Sequence, residues 1–182
     1  MKVAFDGDRG NAAGRPSGPD EPLDVANWDE FVERAITSFG GSSGAVVVGL
    51  EDGAVWGSSR PCPMATLAYP VTFETEDGSE CQIQMQEGQQ LKNYCESKRV
   101  PPSGLRIGQK KLIVLRTQTH SSKSLPAGQT IFSAYGKCGG IGCCIALTGK
   151  AVVMNLHDSD HPAGHCNAVA LRTATWLVLQ GL

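Results

Sequence analysis

The chain has no excess of either charge sign. Sixteen Lys and Arg stand against eighteen Asp and Glu, a formal net charge of −2. Nothing global therefore draws it to nucleic acid, and affinity for a phosphate-rich surface would need a local basic patch. No apolar run approaches the ~20 residues that span a bilayer. The opening stretch MKVAFDGDRG lacks the apolar centre of a signal peptide, so the expected location is the cytosol. Paired CxxC spacing is missing, and the seven cysteines are odd in number. In a reducing compartment such residues serve mostly as small buried hydrophobes rather than disulfides. There is no Gly-rich phosphate loop, no GxSxG, no HExxH and no evident Cys–His pair. These absences predict a protein that is not an enzyme and needs no cofactor.

What remains is 182 residues, enough for one domain with a real core. Residues 1–26 hold four Gly, three Pro and five Asp or Glu, which predicts a flexible extension ahead of a domain over 27–182. Asn27 suits a helix N-cap, with Asp29 and Glu30 at the positive end of the dipole. The helix WDEFVERAITSF carries one apolar stripe of Val32, Ile36 and Phe39 and a second of Trp28, Phe31 and Ala35. A short helix needs one stripe to pack, so the second requires its own explanation. Gly40 and Gly41 should stop this helix.

Residues 44–58 read as a hairpin turning at EDG, and residues 60–70 as irregular. VTFETEDGSECQIQM, about 71–85, reads as an inserted hairpin turning at Asp77-Gly78. EGQQLKNYCESKR reads as a polar helix closed by Pro101 and Pro102. LRIG, KLIVLRT, QTIFSAYG, GCCIALT and AVVMNLH follow with short connections, which predicts an antiparallel meander. A last helix runs from about Ala163 to Leu179. Val169, Thr173, Trp176 and Gln180 share one of its faces, and Ala170, Ala174 and Leu177 another. The sum is an α+β fold: a central antiparallel sheet, the N- and C-terminal helices on one face, and the smaller helical and hairpin elements on the other.

W-x-x-F on the first helix followed by GAVVVGLEDGAVWGS resembles the start of profilins. PPSGLRIGQKKLIVLR resembles a later stretch of that family. GKCGGIGCCIALTGKAVVMNLHD and PAGHCN resemble its end, especially in plant-type members, and the inserted hairpin looks more like that of apicomplexan members. The similarity covers roughly 27–182. It implies a cytoplasmic, cytoskeletal protein that binds monomeric actin and proline-rich proteins such as formin-like elongation factors and, secondarily, phosphoinositide membranes.

The resemblance assigns a polyproline groove to Trp28, Phe31, Trp56, Trp176, Leu177 and Leu182, where Leu182 stands in for a family Tyr. The chemistry agrees, because a stiff polyproline II peptide docks on flat rings whose N–H groups meet its free carbonyls. It assigns actin contact to Lys111, Arg116, Lys137, Gly164 and Asn167. It suggests phosphoinositide contact at Lys110, Lys111, Arg116, Lys123 and Lys137, weakly, since lipid attraction usually needs a clustered patch. Gln109 replaces the second glycine of a family pair, so a turn that needs positive φ there should differ. Gln109 and the insert motivate one alternative, a peptide- or lipid-binding module without actin binding. The run HDSDHPAGHC motivates another, a metal or thiol redox protein using His157, Asp158, Asp160, His161, His165 and Cys166. Pro162 breaks that run, and a plain loop is the expected reading, with no metal.

Overall fold

The computed structural model describes residues 27–40 and 42–182. The extension expected over 1–26, and Gly41, lie outside them. Helix α1 spans Trp28–Ala35, and the Asn27 side chain accepts from the Glu30 N–H at 3.2 Å. The helix ends four residues earlier than the apolar stripe suggested. The Thr37 and Ser38 hydroxyls both donate to the Glu33 carbonyl, at 2.7 and 2.6 Å. Such bonds compete with the helical ladder, and the chain tightens into a 3-10 turn over Thr37–Phe39 closed by left-handed Gly40. Val32 and Ile36 are fully buried, whereas Phe39 is exposed beneath the Arg172 guanidinium.

The strands are β1 (Gly44–Gly49), β2 (Val55–Ser58), β3 (Tyr69–Glu74), β4 (Glu80–Met85), β5 (Leu105–Ile107), β6 (Lys110–His120), β7 (Ile131–Cys138), β8 (Ile141–Leu147) and β9 (Ala151–His157). Helix α2 spans Glu87–Ser97 and α3 spans Ala163–Leu179. Seven strands form one antiparallel sheet in the order β2-β1-β9-β8-β7-β6-β5, and β3 pairs only with β4. The meander of five strands is thus extended by the first hairpin. Its β1 runs beside β9 from Gly44 opposite Leu156 to Gly49 opposite Ala151.

Side chains alternate between the two faces of the sheet. Ala45, Val47, Cys144, Ala146 and Val153 pack under α1 and α3 with Val169, Ala170, Ala174 and Leu177. Val46, Val48, Cys143, Ile145, Val152 and Met154 pack on the other face with Leu91, Tyr94 and Cys95 of α2. Neighbouring Cys143 and Cys144 therefore face opposite cores. Burial holds the Cys143 thiol well above its ordinary range and pushes Cys95 up to about 12. These are protonated, poorly nucleophilic thiols.

One buried group ties the smaller elements together. Glu87, the first residue of α2, is 1% exposed. Its carboxylate accepts from the Ala65 N–H at 2.8 Å, the Tyr69 hydroxyl at 2.7 Å, the Gly108 N–H at 2.9 Å and the Gln109 N–H at 2.6 Å. It joins the irregular 60–68 stretch, the inserted hairpin and the β5–β6 turn. Burial first, and then this carboxylate, raises the Tyr69 phenol. Gln109 has φ +67, so the turn keeps a left-handed residue there after all. The expectation of an altered turn is corrected: the bond to Glu87 holds a conformation that an L side chain otherwise avoids.

Candidate functional site

Four rings from three elements form a continuous ladder. Trp56 of β2 lies 5.0 Å from Trp28, Trp28 lies 5.5 Å from Phe31, and Phe31 stacks on Trp176 of α3 at 5.2 Å and 20°. All four are only partly buried. The stripe that α1 did not need for its core thus bridges the two terminal helices. Glycines make the approach possible. A Cβ on Gly57 would come within 2.4 Å of the Trp28 carbonyl, and one on Gly49 within 2.3 Å of the Trp56 Nε1. The helix is pinned on β2 by the Ser58 N–H donating to Asp29 at 2.9 Å and the Arg60 N–H to Glu33 at 3.1 Å.

Two expected groove residues sit elsewhere. Leu177 is fully buried in the core beneath α3 and offers no surface to a peptide. One residue along a helix turns the side chain by roughly 100°, so Trp176 reaches the rim while Leu177 points inward. Leu182 follows left-handed Gly181, and its N–H donates to the Leu177 carbonyl at 3.0 Å. It lines a cleft of about 780 Å³ with Lys98, Thr119, Leu147 and Lys150, none of which belongs to the ladder.

A second surface lies on the α3 side of the sheet, on β6 and β7. Ile113 pairs with Lys137, and Arg116 pairs with Tyr135 across a bulge at Leu115. Alternation puts Lys111 on the face of Ile113, and the bulge returns Arg116 to it. Tyr135 stacks on His157 at 5.9 Å and 11°, its hydroxyl 3.3 Å from Nε2. Gly142 lies beneath that imidazole, where a Cβ would meet Nε2 at 2.0 Å. The start of α3 is fixed to β9 because Asn155 Nδ2 donates to the Cys166 carbonyl at 3.1 Å and Cys166 Sγ donates to the Asn155 carbonyl at 3.3 Å. This sets exposed Gly164 and half-buried Asn167 beside the end of β9.

Lys111, Arg116 and Lys137 make no ion pair among the described residues. The sequence reading missed their apolar neighbours, Ile113 at 61% and Leu115 at 57% exposed. The signal was available in LIVL, four consecutive apolar residues where alternation buries only half. The phosphoinositide set does not converge. Lys110 alternates to the opposite face, that of Leu112, and Lys123 lies in the β6–β7 loop.

His157 is buried against Tyr135, and His161 binds Asp158 through Nδ1 at 2.6 Å. That bond first of all holds the Asp158 carboxyl below its ordinary range. Among the described residues no three His, Cys, Asp or Glu side chains converge as a metal site. No helix among them is long and apolar enough to cross a membrane.

The fold is similar to that of profilin IA of Acanthamoeba castellanii, with 21% identity and a TM-score of 0.58 over 86% of this chain and 100% of that one. It is similar to Schizosaccharomyces pombe profilin, with 18% identity and a TM-score of 0.57 over 86% and 100%. It is also similar to mouse profilin IIa in complex with a double repeat from the FH1 domain of mDia1, with 19% identity and a TM-score of 0.55 over 86% and 100%. The Profilin family model itself matches residues 26–182, the whole described domain, and the chain therefore belongs to the profilin family.

Proposed function

We propose that this profilin binds proline-rich peptides on the ladder of Trp56, Trp28, Phe31 and Trp176, and monomeric actin on the face of Lys111, Arg116, Lys137, Gly164 and Asn167. The ladder carries the reading. Aromatic rings about 5 Å apart, each only partly buried, fit a stiff extended peptide that loses little entropy on docking. The mouse relative was solved in complex with a double repeat from the FH1 domain of mDia1, which supports peptide binding as the role of the family fold here. The actin face combines unpaired cations with exposed apolar Ile113 and Leu115, the mixture expected of a surface that closes on a partly acidic partner. Anionic lipid headgroups would meet only Lys111, Arg116 and Lys137, so phosphoinositide binding would compete with actin there.

The protein would act by binding, in the cytoplasm, holding actin monomers that elongation factors recruit through proline-rich segments. Arg116→Glu is expected to weaken binding to monomeric actin about tenfold, since reversing an interface charge costs on the order of 1.4 kcal/mol or more. Affinity for a decaproline peptide should stay unchanged. Equal actin affinity in the two proteins would remove Arg116 from the interface. A wild-type chain that binds decaproline but no actin would leave only a peptide-binding module.

A further inference from the structure

Strand β6 is an edge for most of its length. Its 11 residues pair with β7 along one side, whereas β5 covers only Lys110, Lys111 and Leu112 on the other. The bulge at Leu115 and the two lysines guard that first part, as charges and bulges do on natural sheet edges. Beyond the bulge, Arg116–His120 run in regular register against Tyr135–Ile131. Every second one of these residues turns its N–H and C=O away from β7. Arg116, Thr117, Gln118 and Thr119 are exposed, and the stretch holds neither Pro nor acid. Thr119 also lines the cleft whose cations are Lys98 and Lys150. Neither lysine makes an ion pair among the described residues, and Lys98 lies 4.1 Å over the Phe132 ring. The net charge of −2 hides a segregation: residues 97–157 hold nine Lys or Arg and no Asp or Glu.

We propose that the outer edge of Arg116–His120 accepts an extended acidic segment of a partner protein as an added β-strand, its carboxylates reaching Lys98 and Lys150 in the cleft. This rests neither on the ring ladder nor on actin binding. An added strand alternates its side chains between the two faces of the sheet. Thr117 and Thr119 stand opposite Ala134 and Phe132, which pack on the α2 side where the cleft opens. Arg116 points to the other face. Two cations against one place the carboxylates on the cleft side. Backbone pairing supplies affinity, and the alternate side chains supply specificity. Five residues at ~3.4 Å each give a seat roughly 17 Å long. A second copy is the poorer occupant, because two β6 strands side by side bring Lys110, Lys111 and Arg116 against the same cations with no acid between them.

The probe is an eight-residue peptide of alternating Glu and Val with blocked ends, titrated into the full chain by calorimetry. It should bind, and a peptide of alternating Lys and Val should not. Hydrogen exchange should slow across Arg116–His120 when the peptide is present. Methylating the peptide nitrogens of one alternate set should abolish binding, because those N–H groups face β6, and methylating the other set should leave it intact. Lys98→Gln combined with Lys150→Gln should weaken the peptide about 3- to 10-fold and leave decaproline affinity unchanged. Arg116 stays natural throughout, since it also belongs to the proposed actin face. Absence of binding overturns the proposal. Equal effects of the two methylation sets would show charge attraction without strand addition, and unchanged affinity of the double variant would remove the cleft; either result overturns it. Light scattering should show a monomer at every concentration. A dimer that the peptide dissolves would make a second copy the occupant and overturn it too.

Discussion

Glu87→Ala is expected to lower the stability of the domain by about 3–5 kcal/mol, because it strands several buried donors at once. Three backbone N–H groups and the Tyr69 hydroxyl converge on this carboxylate within 2.9 Å. Alanine leaves them facing a dry cavity, and each unsatisfied donor costs about 1–3 kcal/mol before water enters or the loops relax. Glu87→Gln keeps the volume but turns an NH₂ against donors, so roughly 2 kcal/mol should be lost. The readout is the urea midpoint at constant slope. The ladder lies on the opposite face of the sheet, so decaproline affinity of the folded variants should be unaffected. A loss below about 1 kcal/mol for the alanine variant would mean that these donors have other partners.

Trp176→Ala is expected to weaken decaproline binding roughly 30-fold, about 2 kcal/mol, as for an aromatic anchor at an interface. Trp176 is half-buried and stacked on Phe31, so the fold should survive. Leu177→Ala is the matched control. That side chain is fully buried, so its removal should cost about 2–5 kcal/mol of stability and leave the ring surface of the folded protein unchanged. Tryptophan fluorescence titration measures the first effect and denaturant unfolding the second. Unchanged peptide affinity after loss of Trp176 would show that the stacked rings are packing and not a groove.

Much of this was legible in periodicity and spacing. The extra stripe of Trp28 and Phe31 on α1 announced a surface, and the short connections between successive strand-like runs announced an antiparallel sheet. The pairing of β1 with β9 was not legible. GAVVVG and AVVMNLH are buried along their whole length, so neither shows a period that would reveal its partner. The roles of Glu87 and Gln90 were hidden for a different reason. Both belong to a helix that reads as polar, yet both are buried. Gln90 accepts from the Arg106 N–H at 2.8 Å and donates to Ser103 and the Gly104 carbonyl. Side chains recruited to satisfy loop backbone leave no pattern in their own helix. Leu177 shows the limit of carrying a motif over by neighbourhood, since one step along a helix separates a rim from a core. Gln109 shows the limit of residue preference, since a buried carboxylate sustains a turn that glycine would adopt freely.

The most direct test of the proposed function is the spontaneous assembly of pyrene-labelled actin with increasing amounts of the full chain. The account predicts a longer lag and a lower plateau at micromolar protein, with the lag returning towards that of actin alone for Arg116→Glu. An assembly curve that does not change at any dose of the natural chain would contradict it.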